Sequence, residues 1–83
     1  MLLFTVEDRF IITGRGLVLT PELGDKLKFV TTGTEIKLIR PDKRELLTSI
    51  IGIALFEGNH DILISLEFSK EDIPKGTQVW TVE

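Results

Sequence analysis

The sequence predicts an all-β fold, one domain over residues 1–83 built as a small closed six-stranded antiparallel β-barrel. Three observations carry this. Val, Ile, Thr and Phe crowd six short segments, whereas Ala occurs once, at Ala54, and no long helix-forming run is present. Gly- and Pro-containing turns separate those segments. A chain of 83 residues has room for one core, and closing its sheet removes the unpaired edges a soluble protein must otherwise manage.

Phe4 to Thr20 reads as two strands folded back at Gly14-Arg15, and the rest of the chain extends that sheet. Phe4, Val6, Phe10 and Ile12 alternate along the first strand. The charged step Glu7-Asp8-Arg9 interrupts them and marks a bulge or the true strand start. Gly14 suits the first centre of a type II′ turn, where φ is positive. Leu17 to Thr20 returns, and Pro21 ends that strand because it lacks a ladder donor.

From Glu22 to Gly33 the pattern weakens. Gly24-Asp25-Lys26 and Thr31-Thr32-Gly33 read as turns, with Leu27 and Phe29 facing the core between them. Glu35 to Arg40 restores alternation through Ile36 and Leu38, and Pro41-Asp42-Lys43 is a turn. Leu46 to Phe56 is the longest expected strand, bent at Gly52. Glu57-Gly58-Asn59-His60 closes a hairpin onto Asp61 to Phe68, which carries Ile62, Ile64 and Leu66 on one side and Leu63 on the other. Ser69 with Asp72 has capping-box spacing, and Pro74 and Gly76 stop that helix after one turn. Gln78 to Val82 is the last strand.

The bulk numbers narrow the function classes. With no Cys there is no disulfide framework, thiolate zinc site or cysteine nucleophile. Net charge is −3, which argues against nucleic-acid binding by bulk charge while leaving room for a local basic patch. The N-terminus has neither a basic leader nor a signal-length apolar run. The apolar run Ile50 to Phe56 is far short of the roughly 20 residues a membrane helix needs. A soluble, cytoplasmic protein with no membrane contact is the expectation.

Glu7 to Thr20, E-D-R-F-I-I-T-G-R-G-L-V-L-T, resembles the E-D-x-F-x-I-x-G-R-G-x-V-x-T signature that opens the second domain of elongation factor Tu and related translational GTPases. The likeness runs on in order over essentially the whole chain. Gly33 to Ile36 falls where the family has G-D-E-V, Ile50 to Phe56 resembles V-T-G-V-E-M-F, and Lys70 to Gly76 resembles R-E-E-V-E-R-G. The resemblance implies a free-standing six-stranded barrel like that second domain, which in the parent proteins helps hold the aminoacyl end of transfer RNA. No G-x-x-x-x-G-K-[S/T] loop is present, so nucleotide hydrolysis does not carry over. Pro21 replaces the glycine after the signature threonine, and Ala54 stands where the family's glutamate helps define the terminal-adenosine pocket. The long loop that follows in the family is cut to Glu57 to Asp61. The fold carries over better than the RNA-binding role, since function belongs to sites rather than folds.

No reaction centre is legible. Glu7 and Asp8 are neighbours on an extended segment and point to opposite faces, and Glu71 and Asp72 are likewise read as solvated acids rather than a converging pair. His60, the lone histidine, reads as a loop residue rather than a ligand or base. Gly14-Arg15-Gly16 reads as a tight turn, since it lacks the helix N-terminus that gives phosphate loops their anion affinity. Arg40, Lys43 and Arg44 form the best basic cluster, interleaved by Asp42 and Glu45, and read as a solvated hairpin tip in preference to a phosphate contact. Trp80 is read as core in preference to a contact anchor. Ile51, with Ile39 and Leu47, predicts an exposed apolar patch for self-association.

The expected function is therefore a non-catalytic, cofactor-free binding module that docks on a protein partner or on itself. The alternative is an RNA-end binder using Arg15, Arg40, Lys43 and Arg44.

Overall fold

The computed structural model describes residues 1–21, 23–56 and 58–82. Among them are eight strands: β1 (Leu2–Thr5), β2 (Asp8–Ile12), β3 (Gly16–Thr20), β4 (Glu35–Ile39), β5 (Glu45–Ser49), β6 (Gly52–Phe56), β7 (Asn59–Ile64) and β8 (Gln78–Thr81). The all-β expectation holds. The closed six-stranded barrel does not, because the strands form two four-stranded antiparallel sheets ordered β1-β8-β4-β5 and β2-β3-β7-β6.

Six becomes eight because two of the expected strands turn a corner and change sheet. The Val6 N–H donates to Thr77 O (2.7 Å), extending the pairing with β8, while the next amide, Glu7, donates to Thr20 O (2.8 Å) in the other sheet. The second corner repeats the device. Ile50 N–H donates to Thr34 O (2.9 Å) and Ile51 N–H to Leu63 O (2.8 Å). Since Gly52 already stands opposite Leu63, two residues face one there, which is the geometry of a bulge and bends the strand. The β1–β2 and β5–β6 ribbons thus each form one edge of both sheets, as in sandwiches whose corners are made by strands that switch layers.

The core lies between the sheets. Leu17 and Leu19 of β3 and Ile62 and Ile64 of β7 meet Ile36 and Leu38 of β4 and Val79 of β8, all fully buried. The corner residues Val6 and Ile50 are buried with them. Each corner flips the parity of the alternation. Phe4 and Val6 face the core, but Phe10 and Ile12 point to the outer face of the second sheet rather than to the interior.

Other expectations shift by local chemistry. The β2–β3 turn has Arg15 N–H donating to Ile12 O (2.9 Å), so Gly14 (φ 77°) is the second centre of the turn, where type II geometry needs positive φ, and not the first. β3 ends at Thr20, before Pro21 as expected. Residues Gly24–Phe29 form a 3-10 helix from which Leu27 packs on the core while Phe29 stays exposed. Of the expected turn Glu57-Gly58-Asn59-His60, Glu57 lies outside the described residues, and Asn59 and His60 belong to β7 rather than to a turn. β7 stops at Ile64, so Leu66 is exposed, and Ser65 begins a turn closed by Phe68 N–H to Ser65 O. Ser69 N–H donates to Asp72 Oδ2 (2.8 Å), the expected box, on the 3-10 helix Lys70–Asp72. Trp80 is not core: it stands half-buried opposite Lys37 and Leu2, and its Nε1 donates to Gln78 Oε1 (3.0 Å).

Candidate functional site

The outer face of the sheet β2-β3-β7-β6 is a groove of 1290 Å³. Its floor follows from uninterrupted apolar runs. Leu17-Val18-Leu19 and Ile62-Leu63-Ile64 place apolar side chains on both faces of β3 and β7, so Val18 and Leu63 lie outside the main core yet are only 6% and 7% exposed. Leu63 is accommodated by the two glycines that flank it. A Cβ on Gly16 would come within 2.9 Å of Leu63 Cγ and 2.5 Å of Ile64 O, and one on Gly52 would touch Leu63 Cδ2 at 3.4 Å.

Phe10 and Ile12 of β2 form one wall and Ala54 and Leu55 of β6 contribute to the other, with Ile51 at the corner. Phe10, Ile51 and Leu55 are 49%, 44% and 69% exposed, so the rim presents apolar surface to solvent. Polar groups are few. Thr20 and Asp61 lie towards the Pro21 end with Asn59, and Arg15 lies at the β2–β3 turn. Asp61, opposite Ala54 in the ladder, is 7% exposed. The groove was missed in the sequence. Its signal was there in the doubly apolar β3 and β7 and in the glycines opposite them.

The expected site residues do not converge. Arg15 lines the groove. Arg40, Lys43 and Arg44 sit in the β4–β5 turn of the other sheet, where Lys43 takes φ 75° and its N–H donates to Arg40 O (2.9 Å). Asp42 lies between the two arginines there, 3.5 Å from Arg40 and 3.8 Å from Arg44, and offsets part of their charge. The apolar trio separates too. Leu47 and the half-buried Ile39 are on the outer face of β5 and β4, while Ile51 borders the groove.

The acids go separate ways. Asp8 Oδ1 accepts the Arg9 N–H (2.8 Å), Asp72 caps the 3-10 helix, and Glu7 and Glu71 are exposed. The His60 carbonyl accepts the Leu23 N–H (3.0 Å), a backbone role. Among the described residues no three His, Cys, Asp or Glu side chains are grouped to hold a metal ion. Among them, too, no helix is long and apolar enough to cross a membrane. No protein-family model, no curated protein and no solved structure matches the chain.

Proposed function

We propose that the protein is a non-catalytic binding module whose groove receives an extended, largely apolar segment of a protein partner. One observation carries this: an exposed apolar rim above a floor of buried Val18 and Leu63, with Arg15 towards one end and Thr20, Asp61 and Asn59 towards the other. At 1290 Å³ the groove exceeds the roughly 300–1,000 Å³ of most small-molecule pockets, which suits a stretch of chain. The kinship with the second domain of translational GTPases belongs to the same proposal. It is supported by where the four resembling segments fall: on the β2–β3 hairpin, at the start of β4, on the Ile50–Ile51 corner with β6, and on the Lys70–Asp72 helix with the loop after it.

The test is titration of ¹⁵N-labelled protein with short apolar peptides carrying one lysine for solubility. Amides of Val18, Leu63 and Ala54 are expected to shift, and Phe10→Asp to abolish the response. Shifts confined to the β1-β8-β4-β5 sheet, or none at millimolar peptide, would remove the proposal. One observation favours a second reading, an RNA-end binder: Arg15 lines the groove. Short RNA in low salt distinguishes the two. Binding that fades with salt and falls in Arg15→Ala supports RNA, and loss in Arg40→Ala plus Arg44→Ala would instead assign it to the β4–β5 turn.

A further inference from the structure

The β5–β6 ribbon is an edge of both sheets, and no strand pairs with its outer side among the described residues. Edges left open in this way are normally broken by charge or proline or covered by other segments. Here the one charge is Glu45 at the start of β5; no residue from Leu46 to Phe56 is charged and none is proline. Leu47, at the centre of β5, is 70% exposed.

The ladder fixes which backbone groups face outward. Arg44 O accepts the Arg40 N–H (2.8 Å), and Ile50 N–H donates to Thr34 O (2.9 Å). Bonded rungs recur at every second residue of an antiparallel pair, so Leu46 and Thr48 bond inward, opposite Leu38 and Ile36. The N–H and C=O groups of Glu45, Leu47 and Ser49 therefore point away from β4, into the open edge.

We infer that a second copy of this chain pairs there, β5 against β5, antiparallel about a two-fold axis at Leu47. The partner follows from charge and length. Centring on Glu45 would set two carboxylates face to face, and centring on Ser49 would run the pair into the Ile50–Ile51 corner. Only the Leu47 centre matches every residue of β5 with β5. Leu47 then lies opposite its own copy, and Glu45 opposite Ser49, so no like charges meet. The amides of Glu45, Leu47 and Ser49 in each copy gain acceptors, and the two four-stranded sheets join into one. The groove is on the other sheet, so this association is independent of it.

Sedimentation equilibrium with far-ultraviolet dichroism as the folding control tests the inference. The wild-type chain is expected to sediment as a concentration-dependent dimer. Leu47→Pro removes an amide that points away from β4 and bonds nothing among the described residues, so it should leave a folded monomer. Ser49→Glu sets a carboxylate opposite Glu45 twice by symmetry and should weaken the dimer roughly tenfold. Adding Glu45→Lys to Ser49→Glu should restore it, and Phe10→Asp should leave it unchanged. A monomeric wild-type chain at millimolar concentration would overturn the inference. So would a Leu47→Pro dimer of wild-type affinity, or failure of the charge swap to restore pairing.

Discussion

The two corner ribbons have the same job and opposite treatment. β1–β2 and β5–β6 each border both sheets, so each presents an outer backbone edge along its length. Flanking segments guard the first. Lys26 Nζ from the Gly24–Phe29 helix donates to Leu2 O (2.9 Å), and the Arg9 guanidinium donates to Lys70 O (3.2 Å) beside the second 3-10 helix. Its corner also carries Glu7, Asp8 and Arg9. Among the described residues the second ribbon has no such cover: past Glu45 it is neutral from Leu46 to Phe56, and it exposes Leu47, Ile51 and Leu55. The difference teaches that turning corners holds the layers together without removing edges, so each edge needs its own cover, and among the described residues only one has it.

Five substitutions break or sharpen this contrast. The largest effect is expected at the bend of the open ribbon, where Ile50→Ala empties a fully buried site and should cost about 2–5 kcal/mol, read by urea denaturation. Its exposed neighbour is the control, since Ile51→Ala should change stability by no more than about 0.5 kcal/mol. Gly16→Ala comes next. Its Cβ would meet the Ile64 carbonyl at 2.5 Å, a backbone atom that yields little, and overpacking of this kind costs about 1–3 kcal/mol. Asp72→Ala removes the acceptor of the Ser69 N–H and loosens the helix that Arg9 of β2 bonds, for about 1 kcal/mol in the same assay. Smallest is Leu47→Lys. It should move monomer stability by under about 0.5 kcal/mol while placing a charge on the bare edge, so only association should respond.

Much of the fold was legible because its signals are local. Pro21 cannot donate to a ladder, Gly14 tolerates positive φ, and Ser69 with Asp72 forms a box whatever surrounds it. What escaped depends on the third dimension. Alternation in Phe4, Val6, Phe10 and Ile12 looks continuous, yet the step at Val6–Glu7 changes sheet and turns the later pair outward. That step and the one at Ile50–Ile51 together made six strands into eight. Trp80 was read inward for its size, whereas the parity of β8 gives the interior to Val79. The basic trio at the β4–β5 turn was visible as a cluster, but its separation from Arg15 is a property of sheet order. Floor and wall of the groove were written as doubly apolar strands with glycines opposite. They came together only once β2 and β6 were known to bound the same sheet.

The Ile51–Gly52 bulge has a mechanical consequence. Because the ladder passes from Thr34 to Leu63 across adjacent amides, one layer cannot slide over the other without snapping a bond at that joint. The groove wall on β6 is therefore continuous with β5 through a corner whose successive amides bond in different layers.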